Sequence, residues 1–480
     1  MEFQANSFGE VNFGNTELGD TRRTRRLVQV ANQMQRRPGG SLPQKIRSPK
    51  DLRAFYRLMN SDGVTHEVIL QAHREVVLAK IEQMDSPVLV LHDATELDYT
   101  NHHSLEDLGQ IGNGHHRGYI AQNSLAVDPD TREVVGLLGQ VLHHRVRVPK
   151  KEGTAQKRER ESRESRLWLT GTEYLPASRQ LIDVCDQGAD TFEFLEHESQ
   201  SGRRFVVRAA HNRAIWIGHD DAATCDSGLL RDFARQLPET GNWTLRVTSK
   251  VETRTSKKKG KTKGKKRKAR DANMAVAFAP VQIKAPHQRR GNHGNAPLLM
   301  WVVRVWEVDP PEGEERLEWF LLTNEPVETF EDAYRVVGWY ECRWIVEEYH
   351  KGMKTGCKIE SPQFTSEAGL KPTIALLSIV ALTLLKMRDA SRRADAKTRK
   401  ATEFISADYV TVLSGWRHGK ERLDWSVHDF MYALARLGGH QNRKSDHPPG
   451  WQTIWEGWKE LQAMACGAEV MNSIERCGNT

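Results

Sequence analysis

Val88-Leu89-Val90-Leu91-His92-Asp93 is a short, continuous apolar run that ends in an acid. Bounded by polar residues, such a run reads as a buried β-strand. Asn123-Ser124-Leu125-Ala126-Val127-Asp128 reads as a second strand and Val134-Val135-Gly136-Leu137-Leu138-Gly139-Gln140-Val141-Leu142 as a third. Asp128-Pro129-Asp130 turns between them, which makes the pair a hairpin. A highly charged stretch from Lys150 to about Arg166 leads into a helix at Trp168. Gln180-Leu181-Ile182-Asp183-Val184-Cys185-Asp186 is again a strand running into an acid, and Arg203-Arg204-Phe205-Val206-Val207-Arg208 is a further strand.

Strand, hairpin, helix, strand with acid, strand is the order of an RNase H-like core, whose next element is a helix bearing a last acid. Here that helix is delayed until about residues 330–355. The intervening region contains Trp243-Thr244-Leu245-Arg246-Val247 and Leu298-Leu299-Met300-Trp301-Val302-Val303-Arg304-Val305, and reads as a mostly β insertion. The first seventy residues read as helical. Asp20 caps one helix from Thr21 to near Pro38, with a dense basic first half, and Ser48-Pro49 opens a second that runs to about Met59. Beyond about Ala394 the chain reads as helical again, with Trp451, Trp455, Trp458 and Leu461 on one stripe that suits packing or an oligomer contact. The expected fold class is therefore α/β: an RNase H-like catalytic core over residues 71–393, with a mostly β, basic insertion at about 230–325. Helical domains flank it at 1–70 and 394–480.

The formal net charge of +7 is unevenly placed. Eleven Lys and Arg and no acid lie between Arg254 and Arg270; without those eleven the balance becomes −4. A tract of this kind is solvated and suits nucleic acid, and composition alone is equally compatible with a localisation signal. The six cysteines form no C-x2-C pair, which argues against a cysteine zinc site and fits a reducing compartment. The N-terminus lacks a basic stretch followed by an apolar core, so no signal peptide is expected. Thr373 to Leu385 is too short to span a bilayer and suits a buried helix. These readings predict a soluble cytoplasmic chain with no membrane partner.

Tyr340-Glu341-Cys342-Arg343-Trp344-Ile345-Val346-Glu347-Glu348-Tyr349-His350-Lys351-Gly352-Met353-Lys354 carries the chemistry. Read as one helix, it places Tyr340, Arg343, Glu347, His350 or Lys351, and Lys354 on one face. One carboxylate among cations and a phenol suits a metal ion bound to phosphate. The plainer alternative is a salt-bridged surface helix. Asp93 and Asp186 each follow an apolar strand, where α/β folds gather their sites, although each could equally cap a turn. With Glu347 they form an Asp-Asp-Glu set able to hold two Mg2+ ions ~4 Å apart for in-line phosphoryl displacement. Glu96, Asp98, Asp183, Asp190 and Glu348 compete for these roles by proximity.

The spacing Tyr-x2-Arg-x3-Glu-x6-Lys resembles the signature of bacterial cut-and-paste DDE transposases that pass through a DNA hairpin. Leu18-Gly19-Asp20-Thr21-Arg22-Arg23-Thr24 is similar to that family's N-terminal DNA-binding helix. Asp93-Ala94-Thr95 is similar to its first catalytic motif, with Ala94 where a hydroxyl residue is expected, and Val184-Cys185-Asp186-Gln187-Gly188-Ala189-Asp190 to its second. Trp319-Phe320-Leu321-Leu322-Thr323-Asn324-Glu325-Pro326 and Pro449-Gly450-Trp451 extend the likeness towards the C-terminus. The resemblance implies that Asp93, Asp186 and Glu347 bind Mg2+, with Mn2+ able to substitute. It implies that Tyr340, Arg343 and Arg208 grip phosphates, that Lys354 lies beside the scissile phosphate, and that Trp319 receives a flipped base. His350, Lys351, Arg22, Arg23 and Arg26 complete the expected DNA contacts. Transposon-end DNA, target DNA and a second copy of the chain, in a homodimeric synaptic complex at the bacterial nucleoid, are the implied partners. Two other readings stay open: a metal-dependent nuclease on the same core, and a DNA-binding regulator that has lost catalysis.

Overall fold

A computed structural model describes residues 7–106, 108–145, 153, 156, 160–217, 227–247, 250–251, 266–267, 269–286, 293–403, 405–443 and 446–478. Most of the basic tract at 254–270 lies outside these residues. The fold class is the expected α/β, an RNase H-like core with a mostly β insertion and helical segments at both ends of the sequence. The chain forms two compact units. One comprises Met1–Val148, Gly171–Leu175 and Trp344–Thr480; the other comprises Pro149–Thr170 and Pro176–Arg343.

In the first unit, strand Val88–Asp98 pairs antiparallel with Arg117–Val127, placing Asp93 opposite Asn123. Arg117–Val127 pairs in turn with Val134–His143. The hairpin expected between them is present; its turn is closed by Asp128, whose Oδ1 accepts from the Asp130 amide at 2.8 Å. The first strand corrects one expectation. It runs five residues beyond Asp93, so Asp93 sits within the ladder and not at its end. Residues 94–98 are mostly polar, with only Leu97 fully buried, opposite Tyr119, and that half-buried pattern hides the strand from a search for apolar runs.

Helix His66–Ile81 packs on Val134–His143, and helix Glu367–Arg392 packs on both. The apolar run at Thr373–Leu385 is the middle of this 26-residue helix, longer than the sequence suggests. Its length and composition would suffice to cross a membrane, but 89% of its most apolar window is buried in the protein. Helices Thr21–Arg36 and Pro49–Met59 start and stop as expected. Asp20 Oδ1 accepts from the Arg22 amide at 2.8 Å, and Ser48 Oγ accepts from that of Asp51 at 3.3 Å. Both helices lean on Glu367–Arg392. Lys45, 1% exposed, reaches back to donate to the carbonyls of Gly40 at 2.5 Å and Cys357 at 2.9 Å, so a contact separated by 312 residues closes over a buried ammonium. Near the C-terminus, Trp451, Trp455, Trp458 and Leu461 are all buried. Helix Trp451–Gly478 packs them against Ala407–His418 and Val427–Leu437, with Trp458 4.9 Å from Tyr409, so the tryptophan stripe is internal packing.

In the second unit, Leu181–Cys185 and Arg204–Arg208 pair in parallel, which requires a crossover. Helix Phe192–Gln200 supplies it, capped by Thr191 Oγ1, and buries Phe192, Phe194 and Leu195 against Phe205, Val207, Val281 and Val302. The sheet continues antiparallel through Glu318–Thr323, Leu298–Glu307 and Arg270–Ile283. Gly241–Val247 and Ala214–Ile217 add to the last of these. The insertion is thus β-rich, as expected, and its strands extend the sheet begun by Arg204–Arg208.

Candidate active site and nucleic-acid contacts

The signature stretch is not one helix. Helix Phe330–Glu341 stops at Cys342, and the amides of Cys342 and Arg343 bond to the carbonyls of Trp339 and Tyr340 at 3.2 and 3.1 Å, a three-residue tightening. A second helix, Trp344–Lys351, follows, and then a π turn at Gly352–Gly356 closed by the Cys357 amide on the Gly352 carbonyl at 2.8 Å. A Cβ on Gly356 would lie 2.2 Å from Leu384 Cδ1, so glycine lets this turn press onto the long helix. The one helix expected to carry Tyr340, Arg343, Glu347 and Lys354 is therefore two helices and a π turn. Tyr340 and Arg343 belong to one unit, Glu347 and Lys354 to the other.

In the first unit the helix carrying Glu347 packs on the strand carrying Asp93. Asn123, the cross-strand neighbour of Asp93, places Nδ2 3.1 Å from His350 Nε2, one helical turn beyond Glu347. Asp93 and Glu347 are both half-buried. Asp93 Oδ1 accepts from the Ala94 amide at 3.0 Å. His350 is only 8% exposed, whereas Lys351 faces outward. Lys354 lies on the π turn, 4.0 Å from Glu360, which also accepts from the Asp98 amide at 2.8 Å.

The second unit gathers the other expected contacts. Asp186 follows its strand directly and caps a short turn, its Oδ1 accepting from the Gly188 amide at 2.9 Å. Gly188 is held close beneath Trp168: a Cβ there would sit 2.3 Å from the indole. Burial raises the Tyr340 phenol above its ordinary range; Arg208 and Arg343 oppose that shift through their charge, Arg208 also through a hydrogen bond, while Asp186 adds to it. These four side chains therefore share one electrostatic neighbourhood. Arg208 stands opposite Leu321, two residues from Trp319, and the half-buried Trp319 ring lies 6.2 Å from that of Tyr340. A phenol, two guanidiniums, a carboxylate and an indole are suited to a phosphodiester and an unstacked base.

The competing acids are committed elsewhere. Asp183 is fully buried and bonded to Arg203 Nε at 2.6 Å. Asp190 holds Arg213 at 2.7 Å and the amides of Ala210 and His211. Asp98 accepts from Thr100 and pairs with His116 at 2.8 Å, Glu96 accepts from the Gly112 amide at 2.6 Å, and Glu348 pairs with Arg388.

On the N-terminal helix, the Arg22 side chain is 86% exposed and pairs with its own cap, Asp20, at 3.0 Å, and Arg23 donates to the Leu18 and Asp62 carbonyls. Arg26 is spent on Asp51 at 2.7 Å. Arg25, outward on the same helix, is not among the expected contacts; its three-residue spacing from Arg22 is the signal that could have found it. Asn123 and Gln140 read in the sequence only as strand residues, because polar residues inside apolar strands carry no motif.

Residues 5–64 match the family model of a transposase DNA-binding domain. The match covers the N-terminal helices and supports a DNA transposase in general, with transposon DNA as a partner.

Proposed function

We propose that this chain is a metal-dependent cut-and-paste transposase that cuts through a DNA hairpin. The observation that carries the catalytic part is the packing of the Glu347 helix on the Asp93 strand, tied by the Asn123–His350 contact. Among the described residues no three His, Cys, Asp or Glu side chains converge as a ready metal cage. Mg2+ does not require one, since it takes one or two carboxylates and completes its octahedron with water and substrate phosphate. Asp93, Asp186 and Glu347 are the carboxylates that would hold two such ions, Mn2+ substituting. The ions would supply activation of the attacking oxygen and stabilisation of the departing one.

The chain's own residues then hold the substrate. Arg22 and Arg23 engage the transposon end. Arg208, Tyr340 and Arg343 grip the phosphates beside the cut, and Lys354 neutralises the scissile phosphate. A water nicks one strand and leaves a 3′-OH. That hydroxyl attacks the opposite strand, forming a hairpin and releasing the flanking DNA. The hairpin strains the terminal base pair, and Trp319 stacks on the base that leaves it, offsetting an unstacking cost of a few kcal/mol. A second water reopens the hairpin, and the 3′-OH ends join target DNA. Two copies synapse two ends in the bacterial nucleoid.

The test is to incubate labelled inverted-repeat ends with protein and Mg2+, wild type beside Glu347→Ala. Hairpin-ended breaks from wild type alone are expected, with DNA binding kept in the variant. Nicks without hairpins would leave a plain nuclease, and binding without cleavage a regulator.

A further inference from the structure

A file of polar side chains, buried except at the half-buried His66 where it starts, runs through the first unit and ends on the Glu347 helix. His66 Nε2 lies 3.0 Å from Gln140 Oε1. Gln140 Nε2 donates to Asn123 Oδ1 at 2.7 Å, and Asn123 Nδ2 lies 3.1 Å from His350 Nε2. Ser378 brackets the middle of the file: its Oγ accepts from Gln140 Nε2 at 2.9 Å, and its carbonyl accepts from the Tyr349 hydroxyl at 2.9 Å. Asn123 and Ser378 are 0% exposed and Gln140 4%.

The chemistry of amides gives this file a direction. An amide nitrogen only donates and an amide oxygen only accepts. Asn123 Nδ2 donates to the Ala121 carbonyl at 3.2 Å, which can only accept, so the atom of Asn123 that meets Gln140 is the oxygen. That orients Asn123 Nδ2 towards His350, where an N–H can only donate. His350 Nε2 must therefore accept, so it carries no proton, and the ring proton sits on Nδ1. The same file explains why polar groups occupy a place that valine or leucine could fill. Apolar contacts allow a helix to slide and rotate by small steps, whereas a hydrogen bond to one ring nitrogen fixes its rotation about its axis. Asn123 lies opposite Asp93 and His350 one turn from Glu347, so the bond between them registers the acid-bearing helix against the acid-bearing strand.

We infer that Asn123 and Gln140 are positioning residues, which hold His350 as the neutral Nδ1–H tautomer and through it set Glu347 against Asp93. The role of Glu347 rests on the proposed function; the tautomer does not. The experiment therefore reads both. Full-length protein is labelled with 15N-histidine, and His350 is assigned by comparison with His350→Gln. An unprotonated Nε2 and a protonated Nδ1 are expected at neutral pH, and are to be lost in Asn123→Asp, whose carboxylate cannot donate. A protonated Nε2 in wild type would overturn the inference whatever the protein does to DNA.

Cleavage is then measured against Mg2+ concentration for Asn123→Leu and Gln140→Leu. At least a tenfold rise in the half-saturating Mg2+ is expected, with end-DNA Kd unchanged and the unfolding transition still cooperative. Asn123→Gln, which keeps the donor, recovers part of the loss. An unchanged Mg2+ requirement in folded variants would reduce the file to ordinary packing and overturn the positioning role. If wild type fails to cleave, the functional proposal fails while the tautomer result stands on its own.

Discussion

Lowering the pH from 7 to 5 should strip about 2 kcal/mol from the first unit through one side chain, His73. The residue is 2% exposed on helix His66–Ile81. The Leu137 amide donates to its Nε2 at 3.1 Å, and its Nδ1 lies 2.8 Å from Asn12 Oδ1. A backbone N–H can only donate, so the ring is neutral with its proton on Nδ1. Burial depresses its pKa from 6.5 to about 3, and the charges of Lys386 and Lys80 push the same way. A depressed pKa on a base means that the native state keeps the neutral form. The stabilisation is thus present above pH 6.5 and lost as the pH falls towards 3. At pH 5 an unfolded histidine is almost fully protonated and the native one almost not at all. Linkage converts that difference into about 2 kcal/mol relative to pH 7. His66, held to about 4 but partly open to solvent, adds less. The assay is urea unfolding of wild type and His73→Gln at both pH values. Glutamine can accept from Leu137 and donate to Asn12 but does not titrate, so the variant should lose about 2 kcal/mol less than wild type between pH 7 and 5. Equal losses in the two proteins would refute the assignment of the neutral ring.

Other expectations follow the same geometry. Asp183→Asn breaks a buried ion pair with Arg203 and should cost about 3–5 kcal/mol of stability. Asp186→Asn keeps an acceptor for Gly188 and should leave the melting temperature almost unchanged while abolishing cleavage, so melting and cleavage assays on the pair separate structural from catalytic acid. Burial pushes Lys386 down to about 8, beside Lys80. Its penalty applies in full below pH 8 and fades as the pH rises to 10.5, so Lys386→Met should gain roughly 1–3 kcal/mol at neutral pH by thermal unfolding. Arg22 pairs with Asp20 in the open, where a phosphate can displace the acid, so Arg22→Ala should lower the slope of log affinity for end DNA against log salt by about one; Arg26 is held by Asp51 in a more buried pair, so Arg26→Ala should change that slope less.

Local signals carried much of the fold. Asp20 and Ser48-Pro49 read as helix starts because capping is written in adjacent residues, and the strand at Leu181–Cys185 read as a strand because four of its five residues are apolar, Asp183 being the exception. Less legible were features decided by tertiary partners. Thr95 and Leu97 extend the Asp93 strand only because Ala121 and Tyr119 lie opposite them. The break at Cys342 has no proline to announce it. Arg26 looks like a DNA contact until Asp51, 25 residues on, is seen to hold it. At the candidate site the charged residues were legible because charge is chemically specific. Asn123 and Gln140 were not, since an amide within an apolar strand means nothing until its partner is known.

Lys45 bears on how such a protein can be taken apart. Helical end-binding modules invite transplantation: exchange the first sixty-odd residues and expect a new end preference on the old catalyst. Here the ammonium of Lys45 is satisfied by the Cys357 carbonyl, just past the π turn that follows Glu347. A grafted module without a donor at that point would leave a buried carbonyl without this partner, and a module that kept the lysine on a differently placed helix would strand a buried charge. Chimaeras of this chain must inherit the Lys45 anchor together with the segment at 352–359, so its recognition module and its catalyst can be exchanged only as matched halves.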